Sequence, residues 1–278
     1  MTIRAAFQGE PGAYSEQALR EVLPGVESVP APVLRDVFDL LVTRSVDLIV
    51  VPVENSQAGS INETYDLLLE HSDELSVRGE YELRVRHCLL AISSTELSRI
   101  RRAYSHPQAL AQTAHWLRER GIEAVAYHDT AGAARWVAEE SDPEAAAVAS
   151  VRAAEVYGLQ VLAEGIEDNR TNRTRFLVVG RKPLPADDRP GKTSLVFSAA
   201  NRPGALYQAL GCLAAHGINL TKLESRPSRT EGWEYVFYVD CSGWASAPPL
   251  QAALDALRTE TSWIKVLGSY PASIGSRI

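Results

Sequence analysis

The chain has little of what usually announces a function. Cysteine occurs three times in 278 residues, at 88, 212 and 241. An odd, scattered set is neither a disulfide framework nor a C-x-x-C metal or redox site, so free thiols are expected. Basic excess is missing too. The formal charge is −7 with no run of Lys or Arg, which argues against a nucleic-acid partner. No apolar run approaches the ~20 residues of a membrane helix, so no membrane partner is expected. G-x-S-x-G, the Walker loop and H-E-x-x-H are all absent, and the six histidines are isolated, without metal-ligand spacing. Ser105 and His106 are neighbours, but adjacent side chains rarely point at one another, so a nucleophilic dyad is not expected. The reading is therefore of a chain without metal or cofactor. Ile3–Phe7 reads as a first strand rather than a signal peptide, which predicts a cytoplasmic protein.

What is present is an alternation of strands and helices with ample apolar residues. The stretch Asn172-Arg173-Thr174-Arg175-Phe176-Leu177-Val178-Val179-Gly180 anchors the reading. A polar cluster runs at once into an apolar segment closed by glycine, the pattern of a short buried strand with reactive groups at its mouth. Residues 181–192 are rich in proline and charge and read as a linker. Before the linker, Gly9–Leu19 reads as a glycine turn with Ser15 capping a helix. Asp47–Val53 reads as a buried strand, followed by the polar stretch Glu54-Asn55-Ser56-Gln57-Ala58-Gly59-Ser60-Ile61-Asn62, either a ligand loop or simply a solvated one. Tyr81 to Ala91 alternates strictly and predicts one long half-buried strand, with His87 a packed histidine. Ser105 precedes a helix predicted to run to about Arg120, and Asp129-Thr130 caps another. Such polar residues at helix N-termini suit an anionic small molecule. Beyond the linker the order βαββαβ in about 80 residues predicts a ferredoxin-like sandwich.

Taken together, the motifs resemble the prephenate dehydratase family over essentially the whole chain. The anchors are Gly9–Ala18, Val51–Ser56 with Gly59 and Thr64–Leu68, Ser105-His106-Pro107-Gln108, Asp129-Thr130-Ala131, and Asn172–Phe176. Ala13 departs from the family's threonine. The second domain resembles an ACT regulatory domain through Asn201-Arg202-Pro203-Gly204-Ala205-Leu206 and Glu224-Ser225-Arg226-Pro227. A chorismate mutase domain, present in some relatives, is not expected ahead of the first strand.

The resemblance implies an α/β fold: a two-lobed, periplasmic-binding-protein-like catalytic domain over 1–180, then the linker, then the ACT domain over 193–278. Its lobes are placed at 1–78 plus 170–180, and at 79–169. It implies conversion of prephenate to phenylpyruvate in phenylalanine biosynthesis, with arogenate dehydration and a non-catalytic amino-acid or keto-acid sensor as the alternatives. Thr174 is implied as donor to the leaving hydroxyl, with Glu54 or a water behind it. Asn55, Ser105 and Gln112 would position the substrate, and Ser15, Ser56, Thr130 and Asn172 would help bind it. Arg175 either grips a carboxylate or ties the lobes together, and Phe176 is a core residue or ring wall. L-phenylalanine is implied as inhibitor at Asn201, Pro203, Gly204, Ala205, Leu206, Glu224, Ser225, Arg226 and Pro227, in a homodimer or homotetramer formed through ACT domains.

Overall fold

The computed structural model describes residues 2–227 and 235–272. Elements follow in the order β1 (Arg4–Gln8), α1 (Tyr14–Val22), β2 (Glu27–Ala31), α2 (Leu34–Val42), β3 (Leu48–Asn55), β4 (Gly59–Ser60), α3 (Asn62–Glu70) and β5 (Ser76–Arg84). Then come β6 (Cys88–Ala91), β7 (Arg102–Ser105), α4 (Pro107–Gln112), α5 (Ala114–Glu119), β8 (Glu123–Ala126), α6 (Thr130–Glu140), β9 (Ala145–Ala149), α7 (Val151–Tyr157), β10 (Gln160–Glu164) and β11 (Arg173–Gly180). The chain closes with β12 (Gly191–Ala199), α8 (Ala205–Ala215), β13 (Leu220–Pro227), β14 (Tyr235–Ser242), α9 (Pro248–Glu260) and β15 (Trp263–Pro271).

Two sheets form before the linker. The first runs β2-β1-β3-β11-β5 with β4 on β3, and the second runs β10-β6-β9-β7-β8. β9 shows why the second sheet can carry helices on both faces. Ala145, Ala147 and Ala149 pack with α6 and α7, while Ala146 and Val148 pack among Ala109, Leu110 and Leu117. A strand of small residues, buried on both sides, lets helices approach closely.

The alternation over Tyr81–Ala91 does not make one strand. β5 belongs to the first sheet and β6 to the second, with Val85–His87 as the crossing. The return crossing runs beside it: the Val85 amide donates to the Asn172 carbonyl at 3.0 Å and the Ile166 amide to the His87 carbonyl at 3.1 Å. The second lobe therefore opens after Arg84 rather than at 79. The helix expected from Pro107 to Arg120 is also two helices. Thr113 turns its hydroxyl onto the Ala109 carbonyl at 2.9 Å and separates α4 from α5. β2, with one glutamate and one proline among its five residues, escaped the pattern search because only Ala31 in it is buried.

By its contacts the chain divides into two compact units, and the division does not follow the linker. Residues 1–61 and 81–176 form one unit; residues 62–80 join 177–276 in the other. Within the second unit β12, α8, β13, β14, α9 and β15 make the expected βαββαβ sandwich, with sheet order β13-β14-β12-β15. Its core gathers Phe197, Leu213, Leu254 and Leu257 between sheet and helices. α3 and the start of β5 belong here for local reasons. The Tyr65 and Tyr238 rings meet at 4.9 Å, Lys192 reaches Glu80 at 2.7 Å, and a Cβ at Gly268 would overlap the Val77 carbonyl. The Glu80 and Lys192 side chains are only 4% and 13% exposed, so this pair is largely withdrawn from solvent.

Candidate active site

A cavity of about 320 Å³ lies within the first unit, lined from both sheets. α1 contributes Tyr14 and Ser15, β3 contributes Asn55, and the loop after it contributes Ala58 and Ile61. From the second lobe come His106, Gln108, Ala109, Gln112, Asp129 and Thr130, and from the crossings and β11 come Val85, His87, Asn172, Thr174 and Phe176. A cavity of this size suits a single-ring metabolite.

Chain alternation sets which residues of β11 face inward. Asn172, Thr174 and Phe176 line the cavity, two apart, while Arg173 and Arg175 between them do not. On β3, Asn55 follows the inward set through its amide. Its Oδ1 accepts from the Gln57 and Ala58 backbone amides, both at 3.0 Å. Its Nδ2 therefore faces the other way and donates to Asn172 Oδ1 at 2.8 Å and to Thr174 Oγ1 at 2.9 Å. An amide nitrogen only donates, so in this contact Thr174 Oγ1 accepts, sharing the two amide hydrogens with Asn172 Oδ1 and the Arg173 carbonyl at 3.2 Å, and its own O–H hydrogen is left for the cavity. Asn172, 1% exposed, passes the chain onward by donating to Gln112 Oε1 at 3.1 Å.

His87 stands at the far end of this chain. Its ring lies 2.8 Å from Gln112 Oε1 on one side and 2.8 Å from the Tyr14 hydroxyl on the other. Burial pushes the His87 pKa down, and burial also pushes that of Tyr14 well up, so both are neutral near pH 7. Cys88, beside them in sequence, is held to about 11 mainly by burial and is no nucleophile.

A model of the prephenate dehydratase family matches residues 5–184, and a model of the ACT domain matches residues 193–259. The chain belongs to the prephenate dehydratase family. "Arogenate dehydratase/prephenate dehydratase 2, chloroplastic" of Arabidopsis thaliana is 44% identical over 97% of this chain and 73% of its own length. "Arogenate dehydratase 2" of Petunia hybrida is 42% identical over 98% of this chain and 73% of its own. Among solved structures, the prephenate dehydratase of Arthrobacter aurescens in complex with L-Phe superposes with TM-score 0.89 at 31% identity, covering 99% of this chain and 92% of that one. GqqA, described as a novel type of quorum quenching acylase, superposes with TM-score 0.91 at 40% identity over 97% and 98% of the two chains.

The structure brings some of the expected site residues to the cavity and leaves others outside it. Thr174, Asn55, Gln112, Asn172, Ser15, Thr130 and Phe176 are brought together at the cavity. Ser105 is not among them: it is fully buried and donates to the Val148 carbonyl at 2.6 Å, which holds β7 to β9. Ser56 also stays outside, where its hydroxyl accepts from the Arg173 amide at 3.0 Å and pins the start of β11. Arg175 reaches Glu54 at 3.4 Å, away from Thr174. Neither Arg175 nor Glu54 lines the cavity, and the two are paired with each other. Ser15 lies inside the first turn of α1, whose cap is Ala13, so it presents a hydroxyl rather than a cap. Asp129 does cap α6, accepting from the Gly132 amide at 2.6 Å.

In the C-terminal domain, Asn201, Arg202, Pro203 and Gly204 form an exposed turn ahead of α8. Gly204 takes a left-handed φ of 81°, a conformation that favours glycine. Ala205 and Leu206 pack into the domain core, so only their backbone is offered to a ligand. Arg226 is held by Asp66 at 2.7 Å and by the Asn62 carbonyl at 2.5 Å, and Glu224 by Lys222 at 3.0 Å, while Ser225 and Pro227 are exposed.

Sequence reasoning missed Tyr14, His87, His106 and Gln108 as cavity residues. Alternation had put His87 on an apolar strand face, and no local signal marks the turn that redirects it. Among the described residues, Glu10, His128 and Asp129 form one group with metal-ligand donors within 4.8 Å of one another. Arg135 already sits on Glu10 at 3.1 Å and Asp129 is engaged as a cap, so a cation there competes with both.

Proposed function

We propose that this cavity converts prephenate to phenylpyruvate. Prephenate is a dianion with a ring carboxylate, a ring hydroxyl and a pyruvyl side chain. The ring carbon–carboxylate bond breaks to release carbon dioxide and its electrons complete the aromatic ring. The carbon–hydroxyl bond breaks at the far side, and the departing hydroxide takes a proton to become water. The observation that carries this reading is Thr174, whose hydroxyl accepts from Asn55 and so has its hydrogen left to offer the leaving group. Donation of this kind is worth ~10²–10⁴-fold. The apolar walls, Phe176, Ile61, Val85 and Ala109, suit a carboxylate that must shed its charge. The first turns of α1 and α6, with Ser15 and Thr130, offer backbone dipole to the pyruvyl end.

Arogenate, the alternative substrate, carries an ammonium in place of the ketone and calls for a carboxylate. Asp129 lines the cavity, but its oxygens already meet the Gly132 amide at 2.6 Å and His128 at 2.8 Å, which favours the ketone. An acylase among the similar structures raises hydrolysis of an N-acyl bond as a second reading. That chemistry needs a nucleophile beside a base, whereas Thr174 is partnered by an amide and the His87 ring is engaged at both nitrogens.

For the C-terminal domain we infer L-phenylalanine as inhibitor, gripped at the turn of Asn201, Pro203 and Gly204 and at the end of β13, between domains of a homodimer or larger homo-oligomer. Support comes from exposed apolar side chains on this domain: Tyr207 is 81% exposed and Leu223 and Tyr235 about half. Residues 181–192 act as the linker in this scheme. The three free cysteines fit the reducing cytoplasm expected for it.

The deciding assay is phenylpyruvate release from prephenate and from arogenate, with Thr174→Ala beside the wild type. Prephenate turnover is expected to fall at least about 100-fold in a variant that melts like wild type. Turnover of arogenate alone changes the substrate. Turnover of neither, with tight ligand binding, replaces the enzyme with a sensor, and release of a free acid from an N-acyl substrate establishes the hydrolase.

A further inference from the structure

We propose that His87 is a positioning residue of this site, fixed as the neutral Nε2–H tautomer, which holds Gln112 so that its amide hydrogens face the cavity alongside the Thr174 hydroxyl hydrogen. This rests on the dehydratase reading above for its consequence, and for the tautomer on hydrogen-bond direction at Nε2 together with the burial of the ring.

The direction can be followed from backbone groups, whose roles are fixed. The Gln57 and Ala58 amides can only donate, so the oxygen of Asn55 faces them and its nitrogen faces Asn172 and Thr174. Asn172 then receives on Oδ1, and its nitrogen donates to Gln112 Oε1. An oxygen that receives there cannot donate to His87, so at 2.8 Å the His87 Nε2 must carry the hydrogen. A ring pushed toward neutrality by burial has no second hydrogen, so Nδ1 is bare and accepts from the Tyr14 hydroxyl at 2.8 Å. The Tyr14 hydroxyl is also placed to donate to the Arg86 carbonyl at 3.0 Å, so its one hydrogen is shared between that oxygen and Nδ1, and the two rings meet edge to face at 5.6 Å.

With two donors on Oε1, turning the Gln112 amide over would set its nitrogen against both the Asn172 nitrogen and the His87 N–H. His87 therefore locks the orientation of Gln112, and among the described residues the Gln112 nitrogen donates to no protein acceptor. That leaves two donors, Gln112 Nε2–H and Thr174 Oγ1–H, on one hydrogen-bonded network, both belonging to residues that line the cavity. Nothing in this chain is charged, so it can bind a leaving oxygen without holding a carboxylate too tightly. His87 reaches the substrate only through Gln112.

Two measurements test the proposal. In a spectrum of the full chain with ¹⁵N-labelled histidine, assigned by loss of the signal in His87→Gln, His87 is expected near pH 7 with a protonated Nε2 and a bare Nδ1. An Nδ1–H tautomer or an imidazolium overturns the proposal. In kinetics, His87→Phe keeps the ring volume but loses the donor, and kcat is expected to fall about 10–100-fold with KM changed less than about threefold. His87→Gln restores an N–H near Nε2 and is expected to recover most of the loss, which a purely packing role would not allow. A folded His87→Phe with wild-type kcat, or a His87→Gln no better than His87→Phe, also overturns it. Should the wild-type chain dehydrate neither prephenate nor arogenate, the reading of the preceding subsection falls, and the spectrum still decides the tautomer in one direction or the other.

Discussion

Two faces of one strand, β11, are separated by a single residue in sequence and differ in everything else. The face of Asn172, Thr174 and Phe176 is neutral, and its polar groups are joined by amide-to-amide hydrogen bonds that end on Thr174. The face of Arg175 is charged, with its side chain 12% exposed and paired to Glu54. A strongly held charge makes a poor partner for a ligand that must decarboxylate, since uniform binding of the carboxylate would oppose its loss. Neutral donors aimed at the leaving oxygen assist only the step that matters. The difference teaches that, in this site, direction of hydrogen bonds carries more of the chemistry than formal charge does.

The comparison is broken most severely at Asn55. Asn55→Asp keeps the shape and the backbone contacts' geometry but converts a donor into an acceptor, so Thr174 must turn its hydrogen toward Asp rather than the cavity. A fall in kcat of about 100-fold is expected, as for loss of one preorganised donor. Asn55→Ala leaves Thr174 free to rotate and should cost less, about 10-fold, on the same reasoning. An Ala variant worse than the Asp variant would show that direction is not what Asn55 supplies.

Glu16 tests the other half of the comparison, that charge here builds structure. It is 2% exposed and receives the Gly12 amide at 2.6 Å, Arg20 at 2.7 Å and, from α7 in the second lobe, Arg152 at 3.3 Å. Burial works to raise its pKa, but the Gly12 amide and the two arginines outweigh it and hold the carboxyl below the ordinary range. A carboxyl lowered on folding contributes stability that is complete above its unfolded pKa and is lost as pH falls through the folded one. Glu16→Gln should therefore cost about 1.5–3 kcal/mol near neutrality and progressively less in acid. Urea melts of both proteins at pH 7 and in acid read the difference; an unchanged gap between them would mean the carboxylate is not what matters.

Much of the frame was legible before any coordinates. β9, α7 and the βαββαβ order follow from short apolar runs punctuated by serine and glycine, because small buried strands and capped helices are local properties. The cavity's location was legible through Thr174 and Asn55. Its chemistry was not. His87 owes its role to Tyr14 and Gln112, 73 and 25 residues away, and to a turn that interrupts a faultless alternation. Ser105 looks like a cap at a strand end yet spends its hydroxyl inside the sheet. The grouping of residues 62–80 with the C-terminal domain depends on Arg226, Tyr238 and Lys192, which no local pattern connects to α3 or β5. Arg175 was the most visible residue of the motif and lies outside the cavity lining, since side-chain charge is read directly from sequence and its direction on a strand is not.

The smallest effect is the sharpest test of the comparison. Arg175→Met with Glu54→Gln removes both charges on the far face of β11 while retaining length and apolar bulk. Glu54 is 40% exposed, so solvent screens the pair and its loss should cost about 1 kcal/mol or less. Arg175→Met alone removes the guanidinium 3.4 Å from the Glu54 carboxylate and should cost no less than the double variant. Activity toward prephenate is expected to stay within about threefold in the double variant, because neither group lines the cavity. Were Arg175 the anchor of a substrate carboxylate, KM would instead climb steeply, by the factor of 10 or more that a charge-assisted hydrogen bond is worth. Such a rise, in a double variant that melts like wild type, would mean that the strand presents Arg175 to the ligand after all and that the two faces are one site.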